Sequence, residues 1–261
     1  MAHAEPATIA KEVNEELVQI LRRLTRYMDD ETFALRQLRA RIGQLMKVDA
    51  AAGWVSMATY WTLLGKVEDA RHAASNALRL TNDPTALSIL ATNVYMNLGD
   101  YAAALNCMLE SAHPHRGNFS NSIGWLVLAG GFRAATEYCG IARGMGLEIP
   151  ELPIKLEKAV EAMDLFDGKA ISDVDVAKML TASAGVLVER RQLTSDQRNS
   201  LFQYDDGTVC YGFPVATTAE GAADLMFEMS DRLANLGVLS SVVGISVFPF
   251  MGADADHAMV A

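Results

Sequence analysis

The chain is short of the residues that make special chemistry. Its three cysteines, Cys107, Cys139 and Cys210, are far apart, odd in number and without CxxC spacing. That excludes a disulfide framework or a zinc knuckle, and buried thiols in a reducing compartment are expected. Basic residues are scarce too: 22 Lys and Arg stand against 32 Asp and Glu, a net charge of -10 and a pI near 5.0. Phosphate contacts demand a basic surface, so no nucleic-acid partner is expected. No stretch reaches the roughly 18 consecutive apolar residues of a transmembrane helix, so no membrane insertion is predicted. Glu5, Lys11, Glu12, Glu15 and Glu16 leave no room for the apolar core of a secretory signal, which predicts a cytoplasmic location.

Catalytic signatures are missing as well. No GxSxG is present, and Gly140, Gly144 and Gly146 lack both a preceding strand and a following GK[ST]. His72, His113 and His115 read as surface histidines, because no Cys or carboxylate cluster joins them at ligand spacing. Asp254-Ala255-Asp256-His257 offers at most a weak cation site in a terminal segment. Tyr27-Met28-Asp29-Asp30 matches the metal-binding turn of reverse transcriptases, but it joins two amphipathic helices where that turn needs a β-hairpin. Asp205-Asp206-Gly207 reads as a hairpin turn. No catalytic residue, metal or cofactor is nominated, and the chain is expected not to be an enzyme.

What the chain does have is a 51% hydrophobic, 21% charged composition, which is that of a globular protein. It also has a repeat. Trp54, Trp61, Leu64, Gly65, Val67, Ala70, Ala74 and Ala77 are followed 34 residues later by Ser88, Tyr95, Leu98, Gly99, Tyr101, Ala104, Met108 and Ser111. Gly130-Gly131-Phe132 echoes Gly99-Asp100-Tyr101 at a spacing of 31, with Ala135, Cys139 and Ala142 as a third small-residue face. Glycine ends one helix of each unit, and small residues on the next let the paired helices approach. Leu152, Leu156, Val160 and Met163 then read as a polar-faced capping helix.

Two further segments flank the repeats. In residues 1–50, Val13, Leu17, Ile20, Leu24 and Tyr27, then Leu35, Leu38, Ile42 and Leu45, predict a helical hairpin, with Asp30 capping its second helix. Its narrow apolar seam suits packing on the repeats or a homo-oligomer contact. Arg22, Arg23, Arg26, Arg36 and Arg39 form a candidate docking face for an acidic partner, against the simpler reading of a solvated surface. In residues 167–261, Ser172 and Asp175 predict a capping box that opens a helix through Leu187. Strands over 200–204, 208–215 and 242–250, with a helix from Thr217 to Gly237 between the last two, predict a small α+β module with an antiparallel sheet.

Over residues 51–146 the 34-residue period and its glycine and alanine positions resemble the tetratricopeptide repeat (TPR). The resemblance implies a mainly α chain: a TPR-like α-solenoid of about three helical hairpins over 51–166, behind the N-terminal hairpin and ahead of the α+β module. It further implies a concave groove lined by the first helix of each hairpin. The groove positions carried across are Val55, Thr59 and Thr62, then Ile89, Asn93, Met96 and Asn97, then Val127 and Leu128. The Lys and Arg residues that clamp a terminal carboxylate are missing from this set, which suits an extended segment or helix held by apolar pockets and amides. The alternative is a groove filled by the chain's own N-terminal or C-terminal segment. The expected function is a non-catalytic protein-binding adaptor or chaperone, secretion-chaperone-like and bacterial in style. Alternatives are a structural subunit of a larger assembly, and a ligand sensor or enzyme with its site in the C-terminal module.

Overall fold

The computed structural model describes residues 6–29, 31–193, 200–238 and 240–249, the side chains of 6–8 excepted. Among these residues the chain is mainly helical, with one small sheet. Two helices open it, α1 (Pro6–Arg23) and α2 (Phe33–Val48). Val13, Leu17 and Leu21 of α1, Leu35, Leu38 and Ile42 of α2, and Tyr60 and Leu63 of α3 (Ala50–Leu63) form one buried cluster. The N-terminal seam is therefore covered inside the chain. Thr32 caps α2, its Oγ1 accepting the Leu35 amide at 3.3 Å. Asp30, the expected cap, lies outside the described residues, as do Asp254, Asp256 and His257.

Three helical hairpins follow. α3 pairs with α4 (Val67–Leu80), and α7 (Phe119–Leu128) pairs with α8 (Phe132–Gly144). Between them α5 (Pro84–Ile89) continues through a π-helical turn, Leu90–Tyr95, and pairs with α6 (Tyr101–Ser111). The turns close on Gly65, Gly99 and Gly130, whose φ values of +62°, +70° and +97° exclude an unstrained side chain. The expected small faces are buried: Ala70, Ala74 and Ala77; Ala104; Ala135, Cys139 and Ala142.

α9 (Leu156–Gly168) starts after Pro153 and turns Ala159, Ala162 and Phe166 inward, so Val160 faces solvent. α10 (Asp173–Glu189) opens on the expected Ser172–Asp175 capping box. It then runs across the turn ends of the hairpins in reverse order. Its Asp173 carboxylate accepts the Arg133 and Ala134 amides at the start of α8, both at 3.1 Å, and Val176–Ala177 close on Gly130. Two turns later the Thr181 hydroxyl accepts the Ala102 amide of α6 at 3.2 Å, and Ala184 closes on Gly99. Past its end, Arg191 and Leu193 pair with Tyr27 and Thr25, and the Tyr27 ring lies against Gly65. Ala177 and Ala184 are seven residues apart, about 10 Å along a helix, which is the spacing of neighbouring packed helices.

The sheet holds β1 (Ser200–Gln203), β2 (Val209–Val215) and β3 (Val243–Pro249) in that order. β1 runs antiparallel to β2, with Phe202 opposite Cys210. The expectation of an antiparallel sheet fails at the other edge: β3 is parallel to β2, with Tyr211 opposite Ile245. The reason is α11 (Ala219–Asn235), which carries the chain back from the end of β2 to the start of β3. Thr218 caps α11, one residue beyond the expected Thr217, its Oγ1 accepting the Gly221 amide at 3.1 Å. One buried cluster runs from Val55 in α3 to Val247 in β3, so the repeats and the sheet share a core. Tyr101 and Phe132, the first residues of α6 and α8, meet Phe213 and Tyr211 of β2 edge to face, at centroid distances of 6.1 and 6.3 Å.

Candidate functional site

The carried-over groove positions divide by depth. All but the half-buried Ile89 are core residues: Val55, Thr59, Thr62, Asn93, Met96, Asn97, Val127 and Leu128. The Thr59 and Thr62 hydroxyls donate to carbonyls one turn back, Val55 at 3.3 Å and Ala58 at 2.9 Å. Asn93 accepts from the Thr92 hydroxyl at 3.3 Å, and Asn97 Nδ2 donates to the Thr92 carbonyl at 2.8 Å. The C-terminal ends of the first helices are covered from both sides. The Tyr27 hydroxyl donates to the Asn97 carbonyl, and the Tyr211 hydroxyl donates to the Val127 carbonyl at 3.0 Å. These two contacts bring the N-terminal segment and the sheet onto the array, closing the deep part of the expected groove.

Shallower concavities remain on the same helices. A concavity of about 290 Å³ is lined by Ala52, Val55 and Ser56 of α3 and by Ala86 and Ile89 of α5, with Asp83 and Thr85 at its rim. Ala10, Lys11 and Asn14 of α1 wall one side. A second concavity, about 390 Å³, is lined by Ser120, Asn121, Gly124, Trp125 and Leu128 of α7 and walled by Pro150–Pro153. The two share helix positions. Ala52, Ala86 and Asn121 are each third in their helix, and Val55, Ile89 and Gly124 each sixth. Small, apolar and amide side chains thus recur at the same helix positions on α3, α5 and α7, with α1 beside the first concavity and Pro153 beside the second, 3.4 Å from where a side chain on Gly124 would begin. Of the nine expected positions, Val55, Ile89 and Leu128 line these concavities, Val55 and Leu128 as buried residues. Ala52, Ala86, Asn121, Gly124 and Trp125 were missed, although their equal offsets from the helix starts were present in the sequence.

The arginines of the candidate docking face do not act as one group. Arg39 pairs with Glu31 at 3.2 Å and lies 4.7 Å over the Trp61 ring. Arg26 reaches the other way: with the Gln192 amide turned to present its oxygen, Nη2 and Nε donate to it at 3.1 and 3.2 Å. Arg22, Arg23 and Arg36 are exposed. Arg26 also borders a concavity of about 530 Å³, between Arg190 and Gln192 on one side and Thr217, Asp224, Phe227 and Glu228 on the other. Charges of both signs line it, and Arg190 pairs with Glu228 across it.

Burial, and then Asp100, push the Cys107 thiol up to about 12, and burial raises Cys139 and Cys210, so all three stay protonated near neutral pH. Asp206 is spent on its turn, accepting the Thr208 amide at 2.9 Å, which lowers its carboxyl below the usual range. Asp29 pairs with Arg191 at 3.0 Å. Among the described residues no three His, Cys, Asp or Glu side chains converge as a metal site, and no helix is long and apolar enough to cross a membrane. Comparison of the chain with protein-family models, curated proteins and solved structures found no match.

Proposed function

We propose that the chain is a non-catalytic protein-binding adaptor of chaperone type, built on a TPR-like array, that holds a partner segment across the N-terminal halves of α3, α5 and α7. The observation that carries this reading is the pair of concavities on the first helices of the three hairpins, lined at the third and sixth helix positions by Ala52, Ala86 and Asn121 and by Val55 (buried), Ile89 and Gly124. Matching helix positions recur at a regular step, which an extended or helical segment meets with side chains at a matching step. The row they form spans two helix-to-helix steps, roughly 20 Å, enough for about six extended residues. Ile89→Glu places a charge in the middle of the row at a half-buried position. Immobilised variant and wild type, with equal melting temperatures, are compared for the proteins they retain from native extract. Loss of the retained partner in the variant supports the row; equal retention refutes it.

A second reading, a ligand sensor, is favoured by the concavity at Arg26, Arg190, Asp224 and Glu228, whose charges of both signs suit a small dipolar molecule. It predicts a ligand-dependent rise in melting temperature that Arg26→Ala removes.

A further inference from the structure

Among the described residues β3 is hydrogen-bonded to β2 alone, which leaves its outer edge without a strand partner there. Edge strands of soluble proteins ordinarily carry charge, bulges or extreme shortness that keep other strands off. Here the edge strand is seven residues long, with a proline only at its last position, and neither it nor β1 nor β2 contains a charged residue, in a chain of net charge -10. Beneath β3, α11 buries Leu225, Met229 and Leu233, and its Glu228 and Arg232 pair with Arg190 and Glu189 of α10. The helical period puts the remaining acids, Glu220, Asp224 and Asp231, around that same side. On the flank turned away from α10 it puts Ala219, Ala223, Met226 and Ser230, all exposed and uncharged.

We propose that this edge and this flank form the interface with a second copy of the chain. β3 pairs antiparallel with β3 of the copy about a two-fold axis, and the two α11 flanks pack beneath the joined sheet. Three considerations select a copy over another protein. A two-fold interface needs one patch that complements itself, and a strand paired antiparallel with its own twin does so. Two chains of like charge approach best where neither presents any, and the acids of α11 stand on the far flank. A single seven-residue strand falls short of the 1,200–2,000 Å² or so that stable dimers bury, and the helix flank beside it extends the contact. The surface is distinct from the row on α3, α5 and α7, so a dimer carries two such rows.

The test is the solution mass of the full chain by sedimentation equilibrium between about 1 and 100 μM, concentrations that bracket micromolar affinities. Wild type is expected at twice 28.3 kDa. Ala223→Glu and Met226→Glu on the flank weaken dimerisation at least tenfold, and Asp231→Ala on the acidic side leaves it unchanged. Ala223 is exposed, so Ala223→Glu carries the test if Met226→Glu fails to fold. Amide hydrogen exchange over residues 243–249 slows in the dimer relative to the Ala223→Glu monomer. A wild type that stays monomeric at 100 μM overturns the proposal. So does a dimer indifferent to both flank substitutions, or one whose β3 amides exchange no more slowly than the monomer's.

Discussion

Gly130 and Gly140 stand ten residues apart, yet the structure assigns them opposite sensitivities. Gly130 sits at φ +97°, and a Cβ there would come within 3.1 Å of the Ala177 amide nitrogen on α10. Gly140 lies within α8 with nothing within 4 Å of a would-be Cβ. Gly130→Ala is therefore expected to cost about 2 kcal/mol, from positive φ and backbone crowding together. Gly140→Ala is expected to stabilise by up to about 1 kcal/mol, the helix-propensity difference. Urea unfolding of both variants measures this, and equal effects would refute the assignment. The turn glycines were legible as residues because a positive φ leaves a local mark. What rests on them was not: Val176 and Ala177 lie more than forty positions downstream of Gly130, and no local pattern announces them.

At the scale of elements, α10 does more than pack. It supplies hydrogen-bond acceptors to two helices other than itself, through Asp173 to α8 and Thr181 to α6. Asp173 shows what this costs. Burial raises its carboxyl above the ordinary value, against the pull of the Arg133, Ala134 and Phe132 amides and the Arg133 charge. The folded state thus holds the proton more tightly than the unfolded chain, and stability contributed by this group falls as pH climbs from the ordinary carboxylate value through the raised one. The stability of wild type minus that of Asp173→Asn should accordingly decrease with rising pH across that window. Denaturant titrations in a series of weakly acidic buffers check the sign, and a rising difference would contradict it. Sequence periodicity recovered α10 and its capping box because those are local; trans-capping depends on which turn ends lie beside the helix. The same limit explains the sheet. Alternation located all three strands, but only the path of α11 decides that β3 runs parallel to β2. It explains the groove as well, since Tyr27 and Tyr211 arrive from far along the chain to close on the carbonyls of Asn97 and Val127.

At the scale of the molecule, the boundary expected near residue 167 separates two compositions but not two cores. The buried cluster passes from α3 through α10 into β3 without a break. Trp54, Trp61 and Trp125 all lie on repeat helices, so tryptophan fluorescence follows that half, and near-ultraviolet bands of Tyr211 and Phe213 follow the other. The two signals are expected to change together in a single thermal transition, with calorimetric and van't Hoff enthalpies equal. Separate midpoints would restore two domains.

The path of α10 has a consequence for how such a chain can change over generations. Arrays of stacked hairpins ordinarily lengthen or shorten by whole units, because each unit touches only its neighbours. Here a single helix touches the second and third turns at once, through Ala184 and Ala177, and the chain that follows pairs with Thr25 and Tyr27, whose ring lies on the first. A duplicated hairpin inserted among them would carry one glycine turn a full step beyond the residue that closes on it, leaving α8 or α6 without its acceptor. The number of hairpins is fixed by the length of the helix that spans them, and descendants of this chain are free to vary the row without being free to extend it.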